Sequence, residues 1–157
     1  MTDARSERRL EMERRYDAPP ERVFAAWTEP DRMKHWWGPA GWTIPHSEAD
    51  LSPGGTFRYT MRSPDGDEHA VEGIIAEIDP PLRYVTVSEL GGDGAHSPVR
   101  VETIVTFEAN DGGTLLRIVT VATAAPDMID AATEGMDEHT SEHLDRLAGY
   151  LELEQPL

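Results

Sequence analysis

The chain of 157 residues carries 30 acidic against 14 basic side chains, a net charge of −16, and it has no cysteine. That length suits one domain with its own core, and the missing thiols exclude disulfide frameworks, thiolate nucleophiles and thiolate metal sites. A surface so negative repels phosphate backbones and anionic lipid heads, which argues against nucleic-acid and membrane-surface roles.

The chain opens MTDARSERRLEMERR, charged where a secretory signal needs an apolar segment. No apolar run elsewhere is long enough to cross a bilayer, so the expectation is a cytoplasmic protein. Leu10, Met12 and Tyr16 alternate with charged residues, which predicts a half-buried strand over 8–16. In D-A-P-P-E-R-V-F-A-A-W the proline pair and Glu21 precede Val23, Phe24 and Trp27 at helical spacing, predicting a short helix from about residue 19. A second short helix over 29–36 is entered through Pro30. The stretch H-W-W-G-P-A-G-W then ends it, and holds three of the four tryptophans.

Strand-like segments follow at 42–51, 56–62, 69–78, 83–90, 99–109 and 114–123. They are punctuated by S-P-G-G, S-P-D-G-D, D-P-P, G-G-D-G and N-D-G-G. These connections are too short for parallel crossovers and favour an antiparallel meander. The three glycines of 91–98 suit a mobile loop. From Pro126 onward Met136, Thr140, Leu144, Leu147 and Leu151 share one stripe, predicting a single amphipathic helix of roughly 25 residues, loosened or kinked at Gly135. The class is α+β in the order βααββββββα. A curved sheet of about seven strands must bury one face, and the terminal helix is the natural cover.

Four segments carry a family likeness: RRYDAPPERVFAAWTEPDRMKHWWGPAGW at 14–42, DLSPGGTFRYTMRSPDG at 50–66, IDPPLRYVT at 78–86 and HLDRLAGYL at 143–151. In this order they resemble the activator of heat-shock protein 90 ATPase homologue-like family of the START-like (SRPBCC) superfamily, over nearly the whole chain. The resemblance implies a helix-grip fold spanning 8–154, with tails at 1–7 and 155–157. In that fold a seven-stranded antiparallel sheet wraps a long carboxy-terminal helix, with a cavity between them. Where the family usually carries a Gly-Trp pair on that helix, this chain reads His139-Thr140. The departure implies a larger or more polar cavity, bordered by His139 or His143.

Within that frame, Phe57, Tyr59 and Met61 alternate with Arg58, Thr60 and Arg62, so the first set faces inward. Val99, Val101, Thr103, Val105 and Phe107 form an equivalent inward set, most of it core. Tyr59 adds a phenol as a polar handle. Trp36 and Trp37 project about 100° apart at a helix end, so one indole should plug the core and the other face the cavity mouth. The expected cavity lining is therefore Trp36, Trp37, Phe57, Tyr59 and Met61, with Met136, Thr140 and Leu144 from the terminal helix. His46, His69, Glu89, His139 and His143 are candidate polar groups, and they form no evident acid–base constellation.

Residues 139–143 match H-x-x-E-H, a zinc-protease pattern. The fold belonging to that motif is different, and only 14 residues follow to supply a further ligand. No metal, no cofactor and no catalytic residue is expected. Ser52-Pro53-Gly54-Gly55 lacks the lysine of a phosphate loop and reads as a hairpin turn. The functional expectation is a binding module for a small apolar or amphipathic molecule. The alternatives are an interaction domain with a weak claim to a chaperone contact, and a cavity-based cyclase or hydrolase. A homodimer is left open. With Lys34 as the sole lysine, the acid excess also suits a protein kept soluble in concentrated salt.

Overall fold

The computed structural model describes residues 6–37, 41–90, 99–127 and 129–153. The expected loop at 91–98 and the expected tail at 155–157 lie outside them; of the tail expected at 1–7, Ser6 and Glu7 instead pair with Ala124 and Thr123 in the sheet. The elements run β1 (Ser6–Tyr16), α1 (Pro20–Thr28), α2 (Pro30–Met33), β2 (Thr43–Ala49), β3 (Thr56–Arg62), β4 (Glu68–Asp79), β5 (Arg83–Leu90), β6 (Val99–Asn110), β7 (Gly113–Ala124), α3 (Ile129–Thr133) and α4 (Met136–Leu153). The seven strands form one antiparallel sheet in the order β1-β7-β6-β5-β4-β3-β2. This is the expected helix-grip architecture.

Turn chemistry sets the register. The β6–β7 hairpin pairs Asn110 with Gly113, and its two central residues, Asp111 and Gly112, both have positive φ, as a twisted two-residue hairpin requires. At the β2–β3 connection a Cβ on Gly55 would lie 2.1 Å from the Asp50 carbonyl oxygen, so only glycine fits. The register of β4 against β5 shifts between Ile75 and Glu77. Such a bulge bends its strand, which suits a sheet that must curl over a core.

The concave face holds the core. Phe24 packs edge-on against Tyr84 and Phe107, and Leu116, Leu144 and Leu147 are fully buried beside them. Tyr16 Oη donates to the Leu144 carbonyl at 2.9 Å, and Thr114 Oγ1 donates to the Ala18 carbonyl at 2.7 Å. These two bonds tie the β1/β7 edge to α4 and to the segment entering α1. The helix expected as one piece is two: Gly135, at φ 74°, leaves helical space and separates the five-residue α3 from the 18-residue α4.

α4 contacts β1 and α1, while α2 reaches across to β2. The two halves of the concave face are therefore closed differently. Over the β1/β7 side α4 packs down into solid core. Over β2–β6 the cover is α1, α2 and Trp37.

Candidate ligand cavity

Beneath that second cover lies a cavity of about 280 Å³. Its roof comes from Trp27 and Thr28 at the end of α1, Pro30 and Met33 of α2, and Trp37 just beyond. α2 is a single turn, and the chain after it stays coiled, with Trp36 N and Trp37 N both donating to the Met33 carbonyl. Adjacent indoles on so tight a turn must diverge. Trp36 is 1% exposed and its Nε1 donates to the Ala26 carbonyl at 2.9 Å. Trp37 turns to the cavity instead and donates Nε1–H to Tyr59 Oη at 3.1 Å. Trp27 packs against both, with ring centroids 5.1 and 5.5 Å away.

The floor is the inward face of β2 to β6. Phe57, Tyr59 and Met61 of β3 all line it. Phe57 pairs across the sheet with Gly73, where a Cβ would come within 2.4 Å of the Phe57 ring. The ring thus occupies the space that any other residue at 73 would fill. Further in, Thr86 and Ser88 of β5 and Val101 and Thr103 of β6 complete the floor, with Thr86 directly opposite Thr103 and Ser88 opposite Val101. Burial pushes the Tyr59 and Tyr84 hydroxyls up to about 12. Both are therefore neutral phenols throughout the physiological range.

Several expected lining residues sit elsewhere. Trp36 and Leu144, at 1% and 0% exposure, belong to the solid core. Thr140 is buried with its hydroxyl turned back onto the Met136 carbonyl at 2.8 Å. Met136 packs beside Ala122, Ala124 and Ile129 in a second, smaller cluster. For the three helix residues the physical reason is the same: α4 seats directly on the β1/β7 half of the sheet, so its apolar face closes core rather than cavity. Trp36 is instead turned into the core by the tight turn after α2 and held there by its bond to Ala26.

The candidate polar groups are also dispersed. His46 is exposed on β2, its Nε2 3.7 Å from Glu48. His69 is exposed with its ring 5.8 Å from that of Trp42. Glu89 and His139 are exposed. His143 is the informative one: its ring lies 4.5 Å from Trp37, but it is not among the residues that line the cavity. Its Nε2 is enclosed and has no hydrogen-bond partner among the described residues. Desolvation, with lesser contributions from His139 and Arg146, lowers its pKa to about 4, so the imidazole is neutral. Among the described residues no group of three His, Asp or Glu side chains is placed to hold a metal ion, and no helix is long and apolar enough to cross a membrane.

Comparison with known proteins places this geometry in a family. The chain matches solved structures along almost its whole length. A Rhizobium leguminosarum protein is 29% identical, with a TM-score of 0.76 and coverage of 96% of this chain and 98% of that one. A Nitrosomonas europaea protein is 22% identical, with a TM-score of 0.82 over 93% and 95%. An Aeromonas hydrophila protein described as AHSA1-like is 24% identical, with a TM-score of 0.72 over 93% of each chain. Among curated proteins no significant match is found. Residues 17–152 match the family described as activator of Hsp90 ATPase homolog 1-like protein, and the chain belongs to that family.

Proposed function

We propose that the chain is a binding module that holds a small apolar or amphipathic molecule in the cavity between the α1–α2 cover and strands β2 to β6. The observation that carries this reading is the cavity itself. Its aromatic roof is already pinned by the Trp37–Tyr59 hydrogen bond, and its walls combine large apolar side chains with a few hydroxyls. Ligand sites are typically concave, mostly apolar and largely pre-formed, with a few polar groups that fix orientation. Acid–base chemistry is less well served. The titratable groups among the described lining residues are Glu48 and the two phenols, and the phenols hold their protons too firmly to exchange them near neutral pH.

Thermal denaturation against a panel of small aromatic compounds tests this. A ligand present at about a hundred times its Kd stabilises the native state by about 2.7 kcal/mol, a rise of several degrees in Tm for a domain of this size. The Val101→Trp substitution, which fills the cavity, should abolish that rise. A panel without any stabilising compound, or an equal rise in the filled variant, would contradict the proposal.

A further inference from the structure

The binding module proposed above has a chemical preference written into its floor, and the inference rests on that reading. Thr86 and Thr103 are register partners on adjacent strands, and Ser88 stands two residues from Thr86 on the same face. The three hydroxyls therefore form one polar strip, a departure from the Met33, Trp37, Phe57 and Met61 surfaces around it. Among the described residues none of the three hydroxyls has a side-chain hydrogen bond, and none is an enclosed unpaired atom. They open onto the cavity. Tyr59 faces the same space: its oxygen accepts from Trp37, which leaves its O–H to donate.

Charge is as informative as polarity. The only charged side chain among the described lining residues is Glu48, and it is exposed at the rim. Among the described residues no Arg, Lys or His lines the cavity. A carboxylate or phosphate drawn inside would lose its hydration and gain no counter-charge, in a protein that already carries −16, and burying an unpaired charge is strongly unfavourable. An ammonium group fares no better in the interior, because Glu48 meets it only where water already does. Volume sets the last limit. About 280 Å³ lies just under the roughly 300–1,000 Å³ of drug-sized sites, which suits a compact ring system and not a two-chain lipid.

We infer that the cavity selects a neutral, compact ring compound bearing a hydroxyl or carbonyl oxygen, which the Thr86–Ser88–Thr103 strip and the Tyr59 hydroxyl bind while the ring lies under Trp37. A site built to hydrogen-bond an oxygen discriminates against the analogue that lacks it, because its own polar groups are then left unpaired.

The test uses three probes of one shape on the intact chain: naphthol, naphthalene and naphthoate, titrated at neutral pH and followed at the indole N–H resonance of Trp37. Naphthol should bind about tenfold more tightly than naphthalene, the equivalent of one net hydrogen bond, and naphthoate most weakly. In a Thr86→Val/Thr103→Val variant the naphthol affinity should fall to that of naphthalene, which itself should not weaken. Equal affinities of naphthol and naphthalene, or a preference for naphthoate, would overturn the inference and leave the binding module standing. Failure of all three to move the Trp37 resonance would remove both. The wild-type comparison alone decides if the double variant does not fold.

Discussion

Trp36 and Trp37 are neighbours in sequence with opposite duties. Trp36 is sealed in the core and hydrogen-bonded to Ala26, so Trp36→Ala should cost about 3–5 kcal/mol, the range for a truncated core aromatic. Trp37 is half-buried and bonds to Tyr59. Its truncation should cost less than half as much in stability while weakening ligand binding. Urea denaturation of the two variants checks this, and equal losses would refute the division. Beside Trp37, His143 makes a pH prediction. Its folded pKa, about 4, lies below the unfolded value of about 6.5, so the unfolded state takes up the proton first as pH falls. Stability is then complete above pH 6.5 and is lost progressively down to pH 4, by about 3 kcal/mol. His143→Gln should remove that loss, and parallel pH profiles for the two proteins would contradict the assignment. Much of this was legible in the sequence. Strict alternation placed Phe57, Tyr59 and Met61 inward, and the tight helix end separated the two indoles. Thr86 and Ser88 were not legible, because on β5 the outward positions Val85 and Val87 are the more apolar set, and hydropathy points to the wrong face.

At the level of elements, the seven strands lie within a residue or two of their expected bounds, because glycine, proline and aspartate mark nearly every turn. The terminal helix was harder to read. Its apolar stripe begins at Met136, one residue past Gly135, and the glycine marks a loosening there without telling a kink from a full break at positive φ. Gly135→Ala should cost about 1–2 kcal/mol, from forcing an L-residue into left-handed space. Sterics add little, since the nearest atoms to the new Cβ are His139 ring atoms at 3.7 and 3.8 Å. A neutral result in chemical denaturation would mean that α3 and α4 can straighten into one helix. The cavity's position was misread for a related reason. An amphipathic stripe says that a helix covers apolar surface, but not which strands lie beneath it. Tyr16, bonded to Leu144, draws α4 to the β1/β7 half and leaves the other half to α1 and α2.

For the molecule as a whole, charge is the dominant surface property. Arginines pair with carboxylates across the fold, as Arg14 does with Asp145 and Arg117 with Glu11, but these pairs are solvent-exposed and each contributes little. The net −16 is left to repel itself. Raising KCl shortens the Debye length from about 10 Å at 0.1 M to about 3 Å at 1 M, so Tm should climb over that interval, and a flat response would show that repulsion does not limit stability here. The central claim is that the space under Trp37 is a ligand site, and native mass spectrometry of gently purified protein addresses it most directly. The prediction is a single small-molecule adduct at one per chain, released as a neutral species on activation and missing from the Val101→Trp variant. A wild-type spectrum of bare protein alone, or an adduct retained undiminished by the filled variant, would contradict it.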